Sequence, residues 1–307
     1  MLIKIRGLNN MATFGDAEKN IQRLLAIGQS FVLSGVDYII RKSGKPTCSK
    51  GEPKTDIYVL AESKDRALLV EIKISFKKEN ADFIENKTNS ERAELLLGPN
   101  WKELIIEATR SVASSFENKK LIYKVKGGRT EEGSITLGWK YELLNKSGGE
   151  LSGVVDLTRD QVIDVYAGTH LPEDKKNASV NGEMIVNSGI ANYILMNDKV
   201  STTQEVIDSL ITIEDYVDAN PTVYFACKAL NYRTYHKKYD GNRPLSVYVD
   251  WNVRDGKLDP ILVYDNPLDT KGNEVAAKLI KSMEKIGVET TRDIDDDLVT
   301  KPSVILK

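Results

Sequence analysis

The amino-acid sequence predicts a mixed α/β fold in which helices flank a mixed central sheet. Apolar side chains recur at helical spacing in residues 16–31 and again in residues 101–116. Apolar runs bounded by turn-forming residues predict strands at 36–41, on both sides of a charged turn at 62–66, and at 119–126. The resulting order is helix, three strands, helix and strand, which differs from a simple strand–helix repeat.

The rest of the chain continues this mixed pattern without a flexible linker. QVIDVYA fits either a strand or a helix. Strands are predicted at SITLGWKYELL, GELSGVVDL, PTVYFACKAL, LSVYVDW and DPILVYD, and helices at STTQEVIDSLITIEDYVD and NEVAAKLIKSMEKIG. We therefore expect a core over residues 1–125 and an integrated region over residues 126–307, with one continuous domain as the alternative.

The composition limits the class of protein. Of the 307 residues, 41% are hydrophobic and 29% are charged, which is typical of a soluble globular protein. No apolar run approaches the ~20 residues that a membrane span needs, and the N-terminal residues lack a secretory signal. We therefore expect a cytoplasmic protein without a membrane partner. The absence of a GxxxxGK[ST] loop predicts that the protein uses no nucleotide cofactor.

Two stretches are rich in basic residues, although the net charge is only −2. NKKLIYKVKGGR, at 118–129, contains no acid, and KALNYRTYHKKYDGNR, at 228–243, combines basic residues with three tyrosines. Basic side chains beside aromatic ones suit a surface that contacts nucleic-acid phosphates. An ordinary solvated face explains each stretch equally well.

The stretch GEPKTDIYVLAESKDRALLVEIKIS, residues 51–75, reads as a hairpin with charges in unusual places. Glu71 and Lys73 share one face of the second strand, and the opposite face is aliphatic. Asp56 opens the first strand, and we expect it to lie near Glu71. Two neighbouring carboxylates repel, and a Mg²⁺ ion between them would relieve that repulsion. Lys73 could orient a water or stabilise charge on a phosphate.

Glu18 also occupies an unusual position. It lies on the first predicted helix, seven residues before Leu25, so its side chain falls on or beside the apolar stripe. An unpaired carboxylate is costly to bury, which makes an acid there noteworthy.

Asp56, followed after fourteen residues by Glu71-Ile72-Lys73, resembles the signature of the PD-(D/E)XK nuclease superfamily. The order of helices and strands over residues 10–125 is similar to that superfamily's core, and within it the likeness is closest to type II restriction endonucleases. One feature departs from the pattern, because Thr55 rather than proline precedes Asp56. A plain β-hairpin with a surface ion pair between Glu71 and Lys73 is the alternative interpretation.

The resemblance implies a restriction-endonuclease-like fold and a role for each matching residue. Asp56 and Glu71 would bind Mg²⁺, the carbonyl of Ile72 would add a ligand, and Lys73 would position the attacking water. Glu18 would be a further acid on the first helix. The implied activity is Mg²⁺-dependent, site-specific hydrolysis of double-stranded DNA to 5′-phosphate and 3′-hydroxyl ends.

The region after residue 125 would then read the DNA sequence. A palindromic target would favour a homodimer, because protein symmetry mirrors DNA symmetry. Two alternatives stay open: a related nuclease of repair, junction resolution or phage defence without a fixed site, and a non-catalytic DNA-binding protein. The candidate DNA-binding residues are Asn80, Lys126, Arg129, Lys140, Arg233, His236, Lys237 and Arg243.

Overall fold

The computed structural model describes residues 14–78, 81, 83–86 and 88–307. The helices are α1 (Phe14–Leu24), α2 (Ser90–Leu97), α3 (Trp101–Arg110), α4 (Ala113–Glu117), α5 (Arg159–Ala167), α6 (Glu173–Lys176), α7 (Thr203–Asp208), α8 (Ile213–Ala219) and α9 (Gly272–Lys285). Short 3-10 helices lie at Thr234–His236, Thr291–Asp293, Asp296–Leu298 and Pro302–Val304. In the part of the chain that the structure describes, every helix is too short or too polar to cross a membrane.

The strands confirm the mixed α/β class. They are β1 (Ser30–Leu33), β2 (Val36–Gly44), β3 (Ile57–Ser63), β4 (Leu69–Phe76), β5 (Phe83–Glu85), β6 (Ile122–Tyr123), β7 (Ser134–Leu144), β8 (Ser152–Val155), β9 (Ser179–Val180), β10 (Glu183–Met184), β11 (Tyr193–Leu195), β12 (Ile211–Thr212), β13 (Val223–Arg233), β14 (Lys238–Tyr239), β15 (Val247–Arg254), β16 (Lys257–Val263) and β17 (Ile305–Leu306).

The chain forms two compact units, and each is discontinuous in sequence. Unit 1 comprises Met1–Ala81 and Tyr166–Pro221, and unit 2 comprises Asp82–Val165 and Thr222–Lys307. The boundary expected between residues 125 and 126 does not coincide with either division, because it falls inside unit 2.

Unit 1 contains a six-stranded sheet in the order β1-β2-β3-β4-β11-β12. Strands β1 to β4 form an antiparallel meander, and β11 lies parallel to β4. The core side of the sheet is fully buried at Val59, Ile72 and Ile74, and Ile21 of α1 packs into the same core together with Leu25, which follows α1. The alternation of strand residues therefore places the aliphatic face of β4 against the core, as expected.

Two details of unit 1 differ from the sequence-based expectation. The helix predicted over residues 16–31 ends at Leu24, because Gly28 has a φ of +89° and donates its N–H to the carbonyl of Ile40 at 2.9 Å. The strand expected at 119–126, the last of the predicted core order, is β6 of unit 2, which pairs with β7 and β17. The parallel neighbour of β4 is β11, residues 193–195. Two parallel strands must be joined by a long crossover, and the chain between β4 and β11 provides it.

Unit 2 is built on a nine-stranded sheet with the path β14-β13-β7-β15-β16. Helix α9 packs on β15, where Ser282 donates a hydrogen bond to the carbonyl of the buried Trp251 at 2.9 Å. The stretch QVIDVYA lies in α5, which settles it as helix. The long helix predicted from residue 201 is instead α7 and α8, separated by the short strand β12.

Unit 2 also contains a buried ion triad, formed by Glu85, Arg92 and Asp164. The guanidinium of Arg92 donates to the carboxylate of Glu85 at 2.9 Å and to that of Asp164 at 2.7 Å. The side chain of Asp164 is 0% exposed. A charge this deep is tolerated only when it is paired and hydrogen-bonded, so the triad ties β5, α2 and α5 together.

Candidate functional site

The pairing of β3 with β4 decides which charged residues lie together. Leu60 is opposite Glu71, and Ile57 is opposite Ile74. The N–H of Asp56 donates to the carbonyl of Ile74 at 2.8 Å, and its carboxylate accepts from the N–H of Phe76 at 2.8 Å. Asp56 therefore lies at the C-terminal end of β4, roughly four residues and about 13 Å along the strand from Glu71.

The expectation that Asp56 and Glu71 hold one Mg²⁺ ion is therefore wrong. Mg²⁺ binds oxygen at about 2.1 Å, so two carboxylates that share the ion must approach within roughly 4 Å. The register also moves the carbonyl of Ile72 away from Asp56, because Ile72 is opposite Val59 in the middle of the hairpin. The three expected metal ligands are thus not brought together.

Glu71 and Lys73 form a cluster of their own with Tyr58, which we call the Glu71 cluster. The Tyr58 hydroxyl donates to a carboxylate oxygen of Glu71 at 2.5 Å, and the Lys73 ammonium lies 3.9 Å from the other oxygen. Burial, followed by the hydrogen bond to Glu71 and its charge, raises the pKa of Tyr58. The phenol therefore keeps its proton and donates it to the carboxylate of Glu71.

Lys73 is held on several sides. Its ammonium donates to the carbonyl of Asn187 at 3.3 Å, and its side chain is only 13% exposed. The amide of Asn192 accepts from the N–H of Lys73 at 2.7 Å and donates to the carbonyl of Glu71 at 2.9 Å. These contacts fasten β4 to the start of β11, which gives the Glu71 cluster a structural explanation.

A second group of charges surrounds Asp56, and we call it the Asp56 cluster: Glu18, Lys45, Asp56 and Lys77. The Lys77 ammonium lies 3.9 Å from Asp56, and both side chains are about one-fifth exposed. Glu18, on α1, accepts a hydrogen bond from Lys45 at 2.8 Å. All four residues belong to unit 1, and they converge because α1, the end of β2 and both strands of the hairpin meet there.

Electrostatics couple the members of the Asp56 cluster. Burial raises the pKa of Asp56, and the negative charge of Glu18 adds to this, although Lys77, the N–H of Phe76 and Lys45 act in the opposite direction. Burial disfavours the charged form of Lys45, but the hydrogen bond to Glu18 and the charges of Glu18 and Asp56 outweigh it and raise the pKa of Lys45. The two carboxylates thus repel each other across a partly buried space that already contains cations.

The Asp56 cluster contains two carboxylates, those of Glu18 and Asp56. Mg²⁺ is commonly bound by one or two carboxylates together with waters and phosphate oxygens. Glu18 and Asp56 supply two carboxylates that already interact electrostatically. Among the described residues, no group of three or more His, Cys, Asp or Glu side chains is placed to hold a metal.

Sequence reasoning missed Lys45 and Lys77. Lys77 follows the last residue of β4, and its N–H donates to the carbonyl of Leu195 at 2.9 Å. The signal for it was the pair of lysines in SFKK, immediately after an aliphatic strand. Because charged residues after a strand are usually solvated, that signal becomes informative only when the register is known.

The candidate DNA-binding residue Lys140 has a different partner in unit 2. It lies opposite Lys228 on β7 and β13, and both ammonium groups contact Glu142, at 2.5 and 2.7 Å. Glu142 is 2% exposed, so it needs these cations as counter-ions. Lys140 is therefore engaged in neutralising a buried carboxylate.

Among the remaining candidates of unit 2, Arg233 is the last residue of β13, and acids accompany both Arg233 and Lys237. Arg233 pairs with Asp240 at 2.9 Å and with Glu131 at 3.2 Å, and Lys237 lies 3.9 Å from Glu289. These acids reduce the positive potential expected of the basic stretches. The exposed candidates are Lys126, Arg129, His236, Lys237 and Arg243, whereas Asn80 lies outside the described residues.

Comparison of the chain with protein-family models, with curated proteins and with solved structures gave no match.

Proposed function

We propose that this protein is a Mg²⁺-dependent endodeoxyribonuclease that cuts double-stranded DNA, with its hydrolytic centre at the Asp56 cluster. The observation that supports this most is the position of Asp56, a partly buried carboxylate with a raised pKa that interacts with a second carboxylate and lies beside a lysine. Titratable groups perturbed in this way concentrate at functional sites. The resemblance of the sequence to PD-(D/E)XK nucleases suggested the same class of activity, but its Glu71 and Lys73 lie in the Glu71 cluster, outside the proposed centre.

The reaction we propose is attack of water on a phosphodiester. Mg²⁺, when bound by Glu18 and Asp56, would polarise the phosphate and lower the pKa of a water. The water oxygen bonds to phosphorus and a water proton passes to solvent. The bond from phosphorus to the 3′ oxygen breaks, and that oxygen takes up a proton, which leaves 5′-phosphate and 3′-hydroxyl ends. The ammonium of Lys77 stabilises the charge that develops on the phosphate and orients the water.

We further propose that cutting occurs at a fixed, palindromic sequence, and that a homodimer in the cytoplasm performs it. Unit 2 would supply the contacts, with Arg129, His236 and Lys237 as exposed residues able to reach phosphates or base edges. The described cysteines, Cys48 and Cys227, are free thiols, which agrees with a reducing compartment.

A non-catalytic DNA-binding protein is a second candidate. The separation of Asp56 from Glu71 favours it, since the hairpin does not assemble the expected pair of acids. This candidate predicts DNA binding without cleavage in every divalent cation.

The decisive experiment uses unmethylated supercoiled plasmid with MgCl₂, with and without a chelator. Asp56→Asn is the test variant, and Glu62→Gln is the control, because Glu62 lies on β3, which Asp56 directly precedes, but pairs with Arg41 at 2.8 Å. We expect discrete fragments from the wild type and from Glu62→Gln, and uncut DNA with the chelator or with Asp56→Asn.

Other outcomes would separate the alternatives. Intact DNA with folded wild type, or equal cutting by Asp56→Asn, contradicts the proposal. A smear of fragments in place of discrete bands would indicate a nuclease without a fixed site.

A further inference from the structure

Lys45 directs its ammonium into the carboxylates of the proposed centre. It follows the last residue of β2, and its Nζ lies 2.8 Å from Oε1 of Glu18. The Glu18 side chain is 13% exposed, so most of its contact with water has been replaced. Lys45 also interacts electrostatically with Asp56 and Glu52. One ammonium therefore serves several carboxylates.

The two lysines of the Asp56 cluster differ in how they contact it. Lys45 forms a hydrogen bond to Glu18, whereas Lys77 lies 3.9 Å from Asp56, beyond hydrogen-bonding distance. A partly buried carboxylate pair needs a nearby cation, because its charges repel and have lost part of their hydration. Lys45 supplies a cation within hydrogen-bonding distance of Glu18.

A divalent cation bound by the same carboxylates would compete with this ammonium. Like charges at close range repel strongly when they are partly shielded from water. The aliphatic chain of lysine is flexible, and the Lys45 side chain is 41% exposed, so its ammonium can move into solvent.

We propose that Lys45 is the built-in counter-ion of Glu18 and Asp56 and that a divalent cation displaces it. The inference rests on the proposed function, since that function places the metal at these carboxylates. Lys45 offsets part of the negative charge of the carboxylate pair when no metal is bound, and it weakens metal affinity by competing for the same charges. The residue therefore sets the cation concentration at which the centre becomes loaded.

Calcium binding to the full-length protein without DNA tests this directly. Lys45→Met removes the charge and keeps most of the length of the side chain. Lys42→Met is the matched control, because Lys42 lies three residues earlier and pairs with the exposed Glu183 of the β9–β10 hairpin. Isothermal titration calorimetry gives the affinity, and thermal unfolding with and without calcium gives the stability.

We expect Lys45→Met to bind calcium about tenfold more tightly than the wild type, the effect of removing one nearby positive charge. The metal-free variant should unfold at a lower temperature than the wild type, and calcium should raise its midpoint by more. Lys42→Met should bind calcium within about twofold of the wild type. If Lys45→Met does not fold, Lys45→Gln makes the same comparison, since it keeps a hydrogen-bond donor without the charge.

Calcium binding to Lys45→Met that equals or falls below that of the wild type overturns the inference. Plasmid cleavage separates this failure from that of the proposed function. If wild type cuts DNA but Lys45→Met gains no affinity, only the role of Lys45 is lost. If neither protein binds calcium and wild type leaves the DNA intact, the hydrolytic centre itself is wrong and both proposals fall.

Discussion

The buried ion triad of unit 2 and the Asp56 cluster of unit 1 both join acids to basic side chains, but they differ in completeness. In the triad, one guanidinium donates to two carboxylates, and the side chains are 0 to 10% exposed. In the Asp56 cluster, the ammonium of Lys77 stays 3.9 Å from Asp56, and the exposed fractions run from 13 to 41%. A cluster whose groups satisfy one another has a structural role, whereas an incompletely paired and accessible one can accept a ligand.

The largest expected effect would come from removing the cation of the triad. Arg92→Met removes the guanidinium that donates to the buried carboxylate of Asp164 and to Glu85, so we expect the free energy of unfolding to fall by about 3–5 kcal/mol. Urea unfolding measures this. Arg110→Met is the control, because Arg110 pairs with Asp265 at 2.5 Å on the surface. A loss below about 1 kcal/mol for Arg92→Met would show that the triad is not needed for stability.

The next largest effect concerns the rate of DNA cleavage under the proposed function. It distinguishes Lys73, which lies on β4, from Lys77, which directly follows β4. Lys77→Met should lower the rate of plasmid cleavage about 100-fold, or about 2.7 kcal/mol, because it removes a positive charge from the transition state. Lys73→Met should change the rate less than about threefold, since its ammonium is engaged by Glu71 and the carbonyl of Asn187. Lys77→Arg should recover part of the rate.

If Lys73→Met lowers the cleavage rate more than Lys77→Met does, Lys73 would again be the lysine that positions the water, as the sequence resemblance implies. Thermal unfolding of each variant identifies losses of activity that come from misfolding. The comparison is balanced, because both substitutions replace a lysine whose side chain is less than one-quarter exposed.

A smaller effect tests whether the buried carboxylate of Asp56 lowers the free energy of unfolding. Burial raises the pKa of Asp56 above its ordinary value of 3.8, so stability falls as pH rises from that value through the raised pKa, and the loss is complete above it. Asp56→Asn should therefore unfold about 1–2 °C higher than wild type at neutral pH, and the difference should vanish below the ordinary pKa. Circular dichroism at both pH values checks this. A lower midpoint for Asp56→Asn at neutral pH would mean that Lys77 and Lys45 stabilise the carboxylate overall.

The smallest effect belongs to an exposed pair in the same sheet as Asp56. Arg41 donates to Glu62 at 2.8 Å, with side chains 44% and 24% exposed. A double-mutant cycle with Arg41→Met and Glu62→Gln should give a coupling of about 0.2–1 kcal/mol, which should shrink in high salt. A larger coupling would show that short distance, rather than burial, determines the strength of these pairs.

The sequence alone was enough to predict the mixed fold class, the hairpin of β3 and β4, and the partly buried position of Glu18. The register of the hairpin could not be predicted, because it depends on the hydrogen bonds of the turn. The N–H of Ser63 donates to the carbonyl of Leu68 at 2.9 Å, and the carboxylate of Asp65 accepts from the Ser63 hydroxyl at 2.5 Å and from the N–H of Ala67 at 3.1 Å. This short turn fixes the pairing that carries Asp56 past Glu71.

The neighbour of β4 was also beyond sequence reasoning. Ile122 and Tyr123 have the apolar character of a core strand, and their position after a helix fits a crossover. They join unit 2 because the chain after residue 81 builds a separate sheet before it returns at residue 166. Periodicity shows that a strand exists but does not reveal which partner it pairs with.

The hydrogen bond from Lys77 to Leu195 has a consequence for the order of biosynthesis. During translation, β3 and β4 leave the ribosome long before β11, so the backbone of Lys77 lacks its neighbouring strand until residues 193–195 have been made. Pairings between distant parts of a chain form late and slowly. A nascent chain would thus carry all four residues of the Asp56 cluster without the strand that fixes the backbone of Lys77, and the cluster would be completed only when residues 193–195 have been added.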